Sequence, residues 1–324
     1  MCTAIAYKVK DLYFGRNLDL EYSYHESVTI TPRKYLFPFQ KENSISKHYA
    51  IIGIATIANN YPLYYDGVNE YGLSMAALNF PGNAFYLPED PKKCNITPYE
   101  LIPWILGQCR SVAEAYALLL NINIVDIPFS EEYPLTPLHW MISDKIESLT
   151  IEPLSQGLKL YRNPVGVLTN NPPFDYHLHN LCNYMNLTSN EPENRFSTML
   201  ELKPFSRGMG GIGLPGDLSS QSRFVRAAFT KFNCAKEESE EKNVGQFFHI
   251  LGSVNQQKGC VKVNDKYEKT VYSSCCNTNQ GIYYYTTYYN HQITAVKLFQ
   301  EPLDSQNLIS YPLLTDPQIR YVNE

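Results

Sequence analysis

What most limits the fold of this chain is the order in which two kinds of pattern follow one another. Weakly alternating, β-like segments come first: Thr3–Lys8, Leu12–Leu20, Ser27–Thr31, Ala50–Ile57, Tyr64–Val68 and Leu73–Asn79. A pair of helical segments follows. Thr97-Pro98-Tyr99-Glu100 reads as a capping box with Pro at the first helical position, opening a helix to about Gln108, and Ser111 to Glu114 as a second box, opening a helix to about Asn121. Leu138–Ser143, Leu149–Pro153, Leu158–Tyr161 and Val165–Thr169 are β-like again, and residues 183–207 are polar and irregular. A second helical pair covers Ser219–Phe232 and Val244–Asn255, and the chain closes with Lys269–Cys275, Gly281–Tyr288 and Gln292–Phe299 as strands. Regular β-α alternation, the mark of a parallel doubly wound sheet, is missing. The order predicts an α+β fold: two antiparallel sheets face to face with a helix pair outside each, a four-layer αββα sandwich. With no internal repeat and no linker-like stretch, residues 1–324 are read as one domain.

Composition narrows the function classes. A net charge of −5 gives no basic footprint for nucleic acid or an anionic membrane, so neither is expected as a partner. The N-terminus lacks a basic head and an apolar core of the signal-peptide kind, and the longest apolar run, Ala50 to Ala58, is too short to span a bilayer. A cytoplasmic protein with its eight cysteines reduced is therefore expected. No C-x-x-C spacing suggests zinc or a redox pair. Tyr is frequent, at 26 residues, which suits both buried structure and an amphipathic ligand site.

Most motif matches fail on context. Gly208 to Gly213 satisfies G-x-G-x-x-G, but no strand precedes it and Leu214-Pro215-Gly216-Asp217 stands where a helix would begin, so it reads as a glycine-rich loop. His177 and His179, two apart, read as surface histidines. What remains is a scattered polar set. Cys2 would become the N-terminal residue on loss of Met1, pairing a thiol with an α-amine of pKa about 7.7–8.0, nucleophile and base in one residue. Taken alone, Cys2 is equally a small apolar residue opening an edge strand. Arg16 and Asp19 lie within an otherwise apolar strand, where charges need partners or a role. With Val9-Lys10-Asp11 as a turn, Cys2, Arg16 and Asp19 could meet at adjoining strand ends. Asn79 and Asn170 each end a strand shortly before a Pro, which is ordinarily turn chemistry. Arg223 sits near a helix start, the unfavourable end for a cation.

Together these residues carry a resemblance. Met1-Cys2-Thr3, Phe14 to Asp19, Asp66 to Leu73, Leu78 to Pro81, Leu138 to Met141, Leu168 to Pro172, Gly213 to Asp217 and Ser222-Arg223-Phe224 jointly resemble the choloylglycine hydrolase family, in particular its bile salt hydrolases and the neighbouring penicillin V acylases. The resemblance implies an N-terminal nucleophile hydrolase in which Met1 is removed and Cys2 attacks a linear amide. Arg16 then supports the thiolate, Asp19 anchors the amine, Asn79 and Asn170 supply oxyanion donors, and Arg223 stabilises charge. It also implies an acyl pocket lined by Leu18, Tyr24, Tyr65, Phe129 and Tyr133. The implied substrate is a bile acid amide of glycine or taurine. Penicillin V or another N-acyl amide is the alternative, and Asn79 favours the former because penicillin V acylases often have Tyr there. No metal or organic cofactor is implied, and a homotetramer is.

Overall fold

The strand β4 (Ile51–Ala58) shows how the sequence builds the frame. It is apolar on both faces, and alternate residues enter different cores: Ile52 and Ile54 one, Ile51 and Ala55 the other. β6 (Ser74–Asn79) and β9 (Leu138–Ser143) repeat this division, with Ala76, Leu78 and Met141 in the first core and Met75, Trp140 and Ile142 in the second. A strand that divides its faces between two cores has to lie in an inner layer.

The computed structural model describes residues 1–323. One sheet runs β11 (Gly157–Arg162), β10 (Ser148–Leu154), β9, β6, β5 (Tyr61–Asn69), β4, β3 (Ser27–Thr31) and β17 (Ile309–Pro312), antiparallel throughout. The other runs β12 (Val167–Leu168), β1 (Cys2–Lys8), β2 (Leu12–Leu20), β14 (Lys266–Asn277), β15 (Ile282–Thr287) and β16 (Thr294–Lys297), with β13 (Val261–Val263) paired to β14. β1 and β2 meet β6 across the gap between the sheets. Outside the first sheet lie α1 (Leu101–Gln108) and α2 (Val112–Leu119), which share the second core with Met75 and Trp140. Outside the second sheet lie α4 (Ser220–Asn233) and α5 (Glu240–Gly252), whose Phe224, Phe247 and Leu251 join the first core. This is the expected four-layer αββα sandwich.

The differences from expectation are local. Regular α1 begins at Leu101; Thr97 to Glu100 form a turn in which Glu100 accepts from the Thr97 N–H at 3.0 Å, while the Thr97 hydroxyl has no partner, so only half of the capping box forms. The Ser111 cap accepts from Glu114 N–H at 3.2 Å as its pattern predicts. The short parallel pair β7 (Cys94–Ile96) and β8 (Ile122–Ile124), the helix α3 (Phe174–Asn180) and the edge strand β17 gave too few residues of periodic pattern to be read. Gly208 to Gly213 forms a short 3-10 turn at Met209–Gly211, with neither a strand before it nor a helix.

Two motif stretches prove to be framing. The Asn69 side chain donates to Leu106 O and Cys109 O at 2.8 and 2.7 Å and accepts from the N–H groups of Tyr71 and Leu73, so one side chain closes α1 and shapes the β5–β6 turn. Gly15 passes so close to the β14 backbone at Ser274 that a Cβ would collide with it.

Candidate active site

Antiparallel pairing of β1 with β2 sets Cys2 opposite Leu18 and Ala4 opposite Arg16. Arg16 and Leu18 therefore point into the space between the sheets with the Cys2 sulfur, whereas Asn17 and Asp19 point to the α5 side. Arg16 is wholly buried, and its Nη2 lies 2.6 Å from Cys2 Sγ. Its other donors go to carbonyl oxygens: Nε to Asn17, Nη1 to Tyr65 and Ala77. No carboxylate stands within ion-pair distance of it among the described residues, so the sulfur is the one side-chain partner of this guanidinium. Burial opposes the Arg16 charge, but Cys2, Tyr272, Asp66 and Asp19 more than offset it, and the cation is held firmly.

The main chain of Cys2 is gripped from the other side. Its N–H donates to Asn170 Oδ1 at 2.8 Å, and the same oxygen accepts from Arg223 Nη2 at 2.7 Å. Arg223 Nη1 donates to Cys2 O and Thr3 Oγ1 at 2.6 and 2.7 Å. That spread of acceptors explains a buried cation in the first turn of α4. Burial nevertheless pulls its pKa below the ordinary arginine value. Asn170 Nδ2 spends one hydrogen on Asn79 O at 2.7 Å, leaving the other without a partner among the described residues. Three groups, two of them buried histidines, hold the backbone at Thr169 and Asn170. Ser220 Oγ accepts the Asn170 N–H, His177 Nε2 donates to its carbonyl at 2.9 Å, and His139, paired with Glu152, donates to the neighbouring Thr169 O at 2.9 Å. His177, expected at the surface, is fully buried and stacked on Phe224 at 4.8 Å, while His179 is exposed. Burial lowers the His177 pKa to about 4, so it is neutral and its Nε2 carries the proton.

Asp19 is buried behind the sulfur. Its Oδ1 accepts from Thr270 Oγ1 at 2.6 Å and its Oδ2 has no partner among the described residues. Burial raises its pKa, against the opposing pull of the Met1 ammonium, Arg223, the Thr270 bond and Arg16. Met1 continues the β1–β2 ladder: its ammonium donates to Asp19 O at 2.7 Å, its carbonyl accepts from Asp19 N–H at 3.0 Å, and the ammonium is ion-paired with Glu268. Burial lowers the pKa of that ammonium.

The sulfur opens into a cavity of about 240 Å3. Leu18, Tyr24, Tyr65, Phe129 and Tyr133 all line it, together with Cys2, Arg16 and Asn79. Asp19, Asn170 and Arg223 do not; Asn170 and Arg223 hold the Cys2 main chain, and Asp19 pairs with Met1. The cavity also draws on Leu20, Leu63, Tyr99, Glu132, Leu135 and Leu138, which were not singled out. Leu20 and Leu138 are strand ends beside residues that were, and Pro128 to Pro134 is an aromatic and proline-rich run whose signal was present. Thr56 donates to Tyr24 O at 3.1 Å and shares a 3.0 Å hydrogen bond with the Tyr65 hydroxyl, fixing two of the lining residues. No His, Cys, Asp and Glu grouping suited to a metal occurs among the described residues.

The site can be set beside known proteins. The model of the linear amide C–N hydrolases, choloylglycine hydrolase family, matches residues 2–311. The bile salt hydrolase/transferase of Lactiplantibacillus plantarum is 58% identical over 324 residues, covering 100% of both chains. The crystal structure of the C2A mutant of conjugated bile acid hydrolase from Clostridium perfringens is similar with a TM-score of 0.92 at 39% identity, covering 100% of both chains. Penicillin V acylase from Agrobacterium tumefaciens shares the fold, with a TM-score of 0.76 at 18% identity over 95% of this chain and 90% of that one. Matched from Cys2 to Tyr311, this chain belongs to the choloylglycine hydrolase family of linear amide C–N hydrolases.

Proposed function

We propose that the protein is a bile salt hydrolase: it cleaves the amide joining a bile acid to glycine or taurine, with Cys2 as nucleophile. The observation that carries this reading is a buried cysteine sulfur 2.6 Å from a buried arginine at the floor of an aromatic cavity, in a chain 58% identical end to end to a bile salt hydrolase/transferase.

Removal of Met1 turns the Cys2 nitrogen from a peptide amide into an amine, the one group at the site with a basicity suited to taking the thiol proton near neutrality. The sulfur attacks the amide carbonyl carbon, and the carbonyl electron pair moves to oxygen. Arg16 supplies the positive charge beside the ionised sulfur. The unused Asn170 Nδ2 hydrogen and Asn79, which lines the cavity and can donate from its backbone or its side chain, are the oxyanion donors, each worth about 2.7–4 kcal/mol of barrier. The α-ammonium returns its proton to the leaving nitrogen, the C–N bond breaks, and glycine or taurine departs. Water, losing a proton to the same amine, then hydrolyses the thioester. Asp19 offers its free oxygen to the ammonium, and Arg223 acts by holding the Cys2 main chain and Asn170. Leu18, Tyr24, Tyr65, Phe129 and Tyr133 receive the steroid. The reaction needs no metal or organic cofactor. We further read the chain as one domain, cytoplasmic and homotetrameric; no helix among the described residues is long and apolar enough to cross a membrane.

The test is to incubate protein whose intact mass shows Met1 absent with glycocholate, taurocholate and penicillin V. Release of glycine or taurine is expected. Cleavage of penicillin V with neither amino acid released would replace this reading with that of a penicillin V acylase.

A further inference from the structure

Asp19 has one oxygen bonded and one free, and the division follows from a residue 251 positions away in sequence. Thr270 lies directly across the β2–β14 ladder from Asp19, and the register slips immediately after it, between Thr270 and Tyr272. Such an irregularity re-aims the neighbouring side chains. Thr270 is also clamped to Gln256 in two ways: its N–H donates to Gln256 O at 3.0 Å, and its Oγ1 accepts from Gln256 N–H at 2.8 Å. A backbone N–H can only donate, so the hydroxyl must accept there. Its single proton then points along the remaining short contact, 2.6 Å to Asp19 Oδ1.

We propose that Thr270 is a positioning residue for this enzyme: its hydroxyl, locked as a donor by the Gln256 backbone, fixes the rotation of the Asp19 carboxylate and leaves Oδ2 as the oxygen available to the Cys2 ammonium. The inference rests on the reading of Asp19 as the anchor of that ammonium. Oδ2 is buried and has no partner among the described residues, as an oxygen reserved for a later cation would be. The same hydrogen bond works against burial, which otherwise raises the Asp19 pKa. The other charged groups around Asp19 are the α-ammonium and Arg16 from the β1–β2 side, Arg223 from α4, Glu268 from β14, and Glu21 just beyond β2. Arg16 and Arg223 have no freedom to replace the threonine, since their donors are committed elsewhere.

The test compares T270V, T270S, T270A and D19N, each with Met1 removed, as kcat and KM for glycocholate from pH 4 to 8, alongside thermal unfolding. T270V, close in shape to threonine without the donor, is expected to lower kcat about tenfold with KM within about twofold, and to move the acid limb of kcat upward by about one pH unit. T270S is expected to restore both. T270A decides the matter if T270V does not fold. A folded T270V or T270A with the wild-type pH profile, or a T270S no better than T270V, overturns the proposal. D19N separates this from the reading beneath it: full activity in D19N removes the role of Asp19 itself, whereas an inactive D19N beside an unaffected T270V removes only the role of Thr270.

Discussion

Arg16 is the residue around which the charge of the site is arranged. It is buried, and its only side-chain partner among the described residues is the Cys2 sulfur. A neutral oxygen nucleophile would leave that cation with a weaker partner, so Cys2→Ser is expected to retain the fold while glycocholate turnover falls by a factor on the order of 10³ or more. Unchanged turnover would remove the nucleophile assignment. Asn79→Ala is expected to lower kcat by about 10²- to 10³-fold with unfolding unaltered, because its side chain makes no hydrogen bond among the described residues. At this scale the sequence was informative wherever a polar residue interrupted an apolar strand. Arg16 and Asp19 stood out for that reason, and alternation alone separates their faces. Thr270 did not stand out, and His177 read as a surface residue. A threonine in a strand and a histidine among polar neighbours are ordinary residues until a distant element covers them.

Among the elements, α3 and α4 do for Asn170 what β2 does for Cys2. Stacking of His177 on Phe224 puts an imidazole of pKa about 4 beneath the Asn170 carbonyl. A base whose folded-state value lies below the usual 6.5 takes up its proton more readily in the unfolded chain. Its contribution is therefore intact above about pH 6.5 and is lost as pH falls toward 4, by on the order of 3 kcal/mol at about 1.36 kcal/mol per unit. His177→Gln, which can keep the donor without titrating, is expected to flatten that loss. Chemical denaturation from pH 4 to 7 checks it, and an equally steep decline in the variant would place the titration elsewhere. α3 itself escaped notice because seven residues carry too few turns for a periodic signal. The Ser111 box forms its hydroxyl half, while the Glu114 carboxylate takes the N–H of Arg110 at 2.7 Å rather than that of Ser111. The Thr97 box half failed because the Glu100 N–H closes a turn on the Thr97 carbonyl at 3.1 Å instead of meeting the Thr97 hydroxyl.

Over the whole molecule, the layer order was legible because strands apolar on both faces have to lie inside, and helix pairs have to close the outside. Which strands join which sheet was not, since β14 pairs with β2 from the far end of the chain. That distant pairing brings Thr270 to Asp19, while the first sheet and the segment after β8 bring Tyr65, Phe129 and Tyr133 to the sulfur. Phe129→Ala is accordingly expected to raise KM for glycocholate by about tenfold with kcat little changed, as loss of apolar contact remote from the reacting bond requires. A fall in kcat alone would argue against a binding role.

The sulfur faces the cavity, whereas Arg223 grips its main chain from α4, on the helix side of the sheet. Drift in the loops facing the cavity can therefore change which acyl group is accepted while leaving the proton-handling residues untouched. A lineage built this way can diversify in diet without re-inventing its chemistry.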